Sequence, residues 1–318
     1  MQFGTNDKSS EVNGSMDTPD FLLFAQHGWA DGSRAMAALA RAAATPNTRI
    51  VTPDLGWTNT WIRIEPLVEH VERIATDAIA THPNTPIKII GHSMGGLIWI
   101  EVLSRHPEWW SQVHSFILIA SPVGGADLAR IFDPLGIGIG MARDLGLNRR
   151  EMAELIAQVI PTLIIAGDID NGSDGTITVG TTKFAYAQFV CLPGLSHAVL
   201  RNHPDVVETI QTFWANPPKP VDSEPELSVI LVQRLQAVPG MTDAHRRDFY
   251  RSKLYLKLSD GTAIRTWKNP LQVEHVFVAD SEGQCLYAGF VGWIHTDDLR
   301  KTLEDIKKEF ITGTGGQK

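Results

Sequence analysis

One stretch constrains this chain more than any other: Gly91-His92-Ser93-Met94-Gly95. It follows directly on an apolar run, Ile87-Lys88-Ile89-Ile90, and opens a helical pattern from Met94 to Ser104. A strand that turns this sharply into a helix puts the central serine in a strained backbone position and lifts its oxygen clear of the chain. A side chain at Gly91 or Gly95 would collide with the adjoining strand and helix, which explains the two glycines. The turn also sets Ser93 at a helix N-terminus, where free N–H groups and the helix dipole favour developing negative charge.

The pattern around this turn predicts an α/β protein. Phe21-Leu22-Leu23-Phe24-Ala25 is continuously apolar, as in a strand buried on both faces. Shorter runs at Ile50-Thr52, Phe116-Ala120, Thr162-Ala166 and Phe184-Leu192 also read as strands. Helical stretches separate them: Ser33-Ala44, Glu65-Thr81 and Pro204-Trp214. Strands alternating with helices imply a mostly parallel, doubly wound sheet with helices on both faces. Four prolines among the polar residues 216–226 mark a linker. Beyond it, residues 227–318 read as a small antiparallel α+β domain. Ser228-Arg234 alternates like a strand, and Thr242 is placed to cap a short helix reaching Arg251. Hairpin turns are signalled at Ser259-Asp260-Gly261 and Asp280-Ser281-Glu282-Gly283, and Thr296 opens an amphipathic helix.

Composition narrows the partners. The net charge is −8 over 318 residues, which argues against a nucleic-acid partner. Cys191 and Cys285 form neither a disulfide framework nor a metal cluster. No His, Cys, Asp and Glu spacing suggests a metal site, and no Walker-type loop appears, so no cofactor is expected. Residues 1–20 are polar and read as a disordered tail without signal-peptide features. No run is long enough to span a membrane, so the expectation is a soluble, cytoplasmic protein. The C-terminal domain carries 13 Lys and Arg against 12 Asp and Glu from residue 226 on, so its charge names no partner. It could bind a protein, mediate self-association into a homo-oligomer or cover the active site.

Gly91-His92-Ser93-Met94-Gly95-Gly96 resembles the nucleophile elbow of the α/β-hydrolase superfamily, especially lipases and carboxylesterases. The resemblance spans about residues 21–214, with 21–215 as the hydrolase domain, and no family matches the C-terminal domain. His27-Gly28-Trp29 after the first strand resembles the family's oxyanion loop. The family's first two strands have no room before Phe21. The resemblance implies Ser93 as nucleophile and His197, in Gly194-Leu195-Ser196-His197-Ala198, as base, with His203 as the alternative. It places the acid after Thr162-Ala166, where Asp168, Asp170 and Asp174 compete. Asp174 is favoured, since Ile177 and Val179 follow at the family's spacing; Asp170 is next. The oxyanion hole would use the backbone N–H groups of Met94 and Trp29.

His27, Gly28 and His92 flank this site, and Trp57 is placed to line it, with Trp61 nearby. A cap would occupy about residues 122–160, including the glycine-rich Pro134-Met141 and a helix from Asn148, its N-cap, with Glu151 completing a capping box. The glycine-rich piece superficially matches a dinucleotide fingerprint, but no strand precedes it. The expected activity is hydrolysis of a small-molecule or lipid carboxylic ester through an acyl-enzyme. A thioesterase or acyltransferase would use the same residues, and a non-catalytic binding protein on this scaffold is the remaining alternative.

Overall fold

The computed structural model describes residues 18–29, 31–56, 63–125, 144–218 and 227–312. Most of the expected tail and linker, Trp57, Trp61 and the glycine-rich part of the expected cap lie outside the described residues.

The first unit is a six-stranded parallel sheet with the order β2-β1-β3-β4-β5-β6. Its strands are β1 (Phe21–Gln26), β2 (Thr48–Val51), β3 (Ile87–His92), β4 (Val113–Ile119), β5 (Thr162–Asp168) and β6 (Gln188–Pro193). Helices α1 (Ser33–Ala43), α2 (Glu65–Thr81), α3 (Met94–Arg105), α4 (Arg150–Ala157), the single turn α5 (Val179–Thr182) and α6 (Pro204–Ala215) intervene or follow. Alternation along each strand divides the core. Leu22, Phe24, Ile89, Phe116 and Leu118 pack with α2 and α3 on one face. Leu23, Ala25, Ile90, Ile117, Ile119 and Ile165 pack with α1 and α6 on the other. Both faces are covered, so the central strands carry near-continuous apolar runs.

Lys88 interrupts the run in β3. Its ammonium lies 3.8 Å above the Phe21 ring and 4.0 Å above the Trp214 ring. Burial lowers its pKa to about 8.

The connection from β1 runs to β2 on one side, while β3, β4, β5 and β6 extend to the other. The crevice at the carboxyl ends of β1 and β3 is therefore the topological switch point, where such sheets bind ligands. Parallel register sets Gln26 of β1 beside Gly91 of β3, which carries the next residues of both strands to the same end.

The second unit is an antiparallel sheet with the order β7-β11-β10-β9-β8. It comprises β7 (Met241–Asp243), β8 (Lys253–Lys257), β9 (Ala263–Lys268), β10 (Glu274–Ala279) and β11 (Cys285–Val291). Helices α7 (Leu227–Gln236) and α8 (Thr296–Thr312) share its core with Ile264, Val276 and Val278. The two expected hairpins form, and Asp260 and Asp280 accept backbone N–H bonds within their turns.

Four local readings change. Ser228–Arg234 is helical rather than extended. Leu231 and Leu235 of α7 are buried in their own core and Val232 packs against it, while Val229 and Val232 also border a pocket shared with the first unit, so a helix apolar over a wide arc lost its simple period. Thr242 lies in β7 and caps nothing; a short 3-10 segment, Arg246–Arg251, is capped by the His245 ring, which accepts from Arg247 N at 2.9 Å. The strand expected from Phe184 begins at Gln188. The N-cap of α4 is Arg149 rather than the expected Asn148, which stands one residue earlier and accepts from Arg150 N at 3.0 Å.

Arg150 and Asp243 form a buried ion pair between the units. Arg150 also donates to the carbonyls of Lys183 at 2.9 Å and Gly180 at 3.2 Å. Removing one member of such a pair strands the other charge away from water. Asp243→Leu is expected to cost about 3–5 kcal/mol in urea unfolding, and the double variant Arg150→Met with Asp243→Leu to recover most of it. A single variant as stable as the wild type would remove the pair from the account of how the units are joined.

Candidate active site

Ser93 stands between β3 and α3 with φ 55° and ψ −125°. Non-glycine residues rarely adopt this backbone, which costs on the order of 1–3 kcal/mol unless neighbours enforce it. Here the neighbours do. Ser93 N donates to Ile119 O of β4 at 2.8 Å. A Cβ on Gly91 would lie 2.5 Å from Gly96 Cα, and one on Gly95 would lie 2.4 Å from Gln26 O. A Cβ on Gly96 would meet the side chain of Ser121, whose Oγ approaches Gly91 O at 3.5 Å. The turn fits because four backbones and one small side chain meet with no room left.

The loop after β1 presses on this turn. A Cβ on Gly28 would stand 2.8 Å from Ser93 Cβ and 3.2 Å from Met94 N. The first N–H groups of a helix have no intrahelical acceptor, so the loop faces the donor end of α3. Trp29 is partly buried and packs against the core cluster that contains Met94. His27 is fully buried. Its Nδ1 lies 2.9 Å from Gly28 O and its Nε2 accepts from Leu55 N at 3.1 Å, which assigns the Nδ1–H tautomer. Burial lowers its pKa, so the ring stays neutral. His27 therefore ties its own loop to the segment after β2 and presents no open face to a ligand.

His197 lies in the loop between β6 and α6. Its Nδ1 is 2.7 Å from Asp174 Oδ2, and its backbone N donates to Asp174 O at 2.9 Å. Asp174 is almost fully buried. Its other oxygen accepts from Thr176 N at 2.9 Å and Ile177 N at 2.7 Å. The carboxylate is thereby held by two N–H groups and aimed at one ring nitrogen. With Nδ1 acting as donor, His197 Nε2 carries a free lone pair.

Asp170 turns away. It accepts from Ser173 N and Ser173 Oγ, both at 2.8 Å, and faces His245 Nε2 at 3.2 Å. Asp168 pairs with Arg246 at 3.0 Å. His203 caps α6 by accepting from Asp205 N at 3.3 Å.

His92 links the two halves of the site. Its Nε2–H donates to His197 O at 3.1 Å, and the two rings lie 4.7 Å apart. Burial first, then the neighbouring His197, holds its pKa well below the usual value. It is a buried brace rather than a surface for substrate. Sequence reading did not find the ion pair between Arg201 and Asp31, at 2.7 Å, which joins the region after His197 to the region after Trp29. Neither residue carries a motif. Among the described residues no three His, Cys, Asp or Glu side chains gather as a metal site, and no helix is long and apolar enough to cross a membrane.

A family model described as serine aminopeptidase, S33, matches residues 17–173. That match covers β1 to the loop after β5, including the elbow. No curated protein matches the sequence. Among solved structures, the chain is similar to Est1E from Butyrivibrio proteoclasticus with bound ferulic acid, at 15% identity and TM-score 0.49, covering 64% of this chain and 92% of that one. It is similar to the lipase BlEst2 from Bacillus licheniformis at 15% identity and TM-score 0.48, over 62% and 93% of the two chains. The RedJ thioesterase from Streptomyces coelicolor matches at 15% identity and TM-score 0.41, over 62% and 90%. The chain is thus similar to the serine aminopeptidase family over residues 17–173, which span β1 to β5 of the parallel-sheet unit.

The tight elbow makes a stability prediction. Gly95→Ala is expected to lose about 1–3 kcal/mol, as overpacked cores do, because its methyl group meets the Gln26 and His27 carbonyls. Gly32→Ala, where a Cβ meets nothing within 4 Å, serves as the control in the same urea titration and is expected to stay near the wild type.

Proposed function

We propose that this protein is a serine hydrolase that cleaves carboxylic esters through an acyl-enzyme, with Ser93, His197 and Asp174 as its triad. One observation carries the reading: the residue beside the strained Ser93 is bonded to the backbone of a histidine whose Nδ1 is held by a buried carboxylate. A neutral serine is a weak nucleophile and needs a base of this kind.

In the proposed reaction His197 Nε2 takes the Ser93 proton as Oγ attacks the acyl carbonyl. Asp174 keeps the ring in the Nδ1–H tautomer and stabilises the imidazolium that forms. The oxyanion is received by the backbone N–H groups of Met94 and Trp29 at the mouth of α3, where they act without reorganisation. His197 then protonates the leaving alcohol. Water, deprotonated by the same nitrogen, releases the acid and restores Ser93. His27, Gly28 and His92 contribute by position: one ties down the oxyanion loop, one lets it approach, and one braces His197.

The class of acyl substrate rests on the resemblance to lipases and carboxylesterases; Trp57, expected to line the substrate site, lies outside the described residues. Labelling with a fluorophosphonate, alongside turnover of p-nitrophenyl esters of increasing chain length, tests the proposal. Ser93→Ala is expected to abolish labelling and turnover. Asp174→Asn is expected to lower turnover by about 10⁴-fold while the fold persists, because the wrong tautomer is then favoured. Gly28→Ala is expected to slow labelling by roughly 10²-fold, since its methyl group displaces Ser93. Equal labelling of wild type and Ser93→Ala would place the nucleophile elsewhere, and a folded wild type that neither labels nor turns over ester would remove the hydrolase reading.

A further inference from the structure

A partly open pocket of about 260 Å³ lies where the two units meet, apart from Ser93. One wall is hydrolase chain: Ile164 of β5, and Lys183, Phe184 and Phe189 from the stretch between α5 and β6. The other is the C-terminal unit: Val229 and Val232 of α7, and Leu286 of β11. The volume falls just below the roughly 300–1,000 Å³ of ordinary ligand pockets, so its occupant is small.

The walls are mainly apolar, and their charged side chains are Lys183 and Glu154. Lys183 Nζ lies 4.3 Å from the centre of the Phe189 ring. Among the described residues no carboxylate comes within ion-pairing distance of it. Glu154 also borders the space, but its oxygens already accept from Ala185 N and Gln233 Nε2, each at 3.0 Å. Arg246 is engaged by Asp168 and Asn171. The nearby thiols supply no charge either: burial pushes the Cys285 pKa up to about 11 and raises that of Cys191. Burial also lowers the pKa of Lys183. A largely desolvated ammonium whose described neighbours offer a ring face but no carboxylate partner gains from an anion that joins it.

We infer that this interface cavity is a second ligand site, separate from Ser93, that takes a short- to medium-chain aliphatic monocarboxylate with its tail among Val229, Val232 and Leu286 and its carboxylate on Lys183. A single ammonium balances a single negative charge. A phosphate dianion would be left half compensated by one ammonium. A neutral alcohol of the same length would fill the apolar walls and leave Lys183 as it was. The site owes its existence to the pairing of the two units: neither wall encloses a space alone.

The test uses the full chain with ¹³C-labelled Ile, Leu and Val methyl groups, titrated with octanoate and, separately, with octanol. Octanoate is expected to shift the methyl resonances of Ile164, Val229, Val232 and Leu286 saturably. In Lys183→Met its affinity is expected to fall at least about tenfold, as loss of a charged hydrogen bond does, with octanol little changed. Val232→Trp, which fills the space from the α7 side, is expected to erase both sets of shifts while methyl groups of the parallel sheet, such as Leu22, keep their positions. Shifts centred on residues flanking Ser93, equal octanoate affinity in the wild type and Lys183→Met, undiminished shifts in Val232→Trp, or no shifts in the folded wild type would each overturn the inference. The readout does not involve turnover, so it stands or falls independently of the hydrolase reading.

Discussion

Backbone packed against backbone at the end of β1 and β3 is the constraint on which the rest of this molecule depends. Gly91, Gly95 and Gly96 bring strand, turn and helix closer than any side chain allows, and Gly28 brings the neighbouring loop onto the same point. The result is a serine held at φ 55° with its N–H tied to β4. Strain of this kind persists only when the surroundings over-determine it. The surroundings are a sheet buried on both faces, whose parallel register brings Gln26 level with Gly91. The same packing that stabilises the sheet therefore positions the site at its switch point.

From that point the site is assembled by buried polar contacts that act at a distance from solvent. His27 and His92 are both neutral and both used within the protein, one for the loop after β1 and one for His197. Asp174 is fixed by Thr176 N and Ile177 N before it meets His197. Each side chain in this chain of contacts has its partner set by backbone, which does not change rotamer. That is how a constellation drawn from loops can be held to a definite geometry.

The second unit is more than an appendage in this structure. Its α7 and β7 reach the parallel-sheet unit through Gln233 and Glu154, Arg150 and Asp243, and its His245 and Arg246 engage the loop that also carries Asp174. Asp168 and Asp170, both plausible acids on sequence grounds, are taken up by those contacts. The segment that joins Asp174 to His197 lines the interface cavity. The geometry of the candidate site and the docking of the two units thus share one stretch of chain.

Local features were legible where one residue type answers one physical demand. The glycines around Ser93, the continuous apolar runs of a two-sided sheet and the tight hairpins could all be read because each is a short-range requirement. Helix α7 was misread because a wide apolar arc overprinted its period, and part of that arc is used only by virtue of the other unit. The choice among Asp168, Asp170 and Asp174 was open for the same reason: all three sit in one loop, and only long-range partners tell them apart. The sequence by itself therefore determined the parallel core, the position of the strained serine and the presence of a separate C-terminal unit, since these follow from local sterics and hydrophobic pattern. Tertiary structure alone decided which carboxylate faces His197, that His27 and His92 are buried and bonded within the protein, and that Lys183 borders a pocket shared by the two units, because each depends on groups far apart in the chain whose meeting no local pattern encodes.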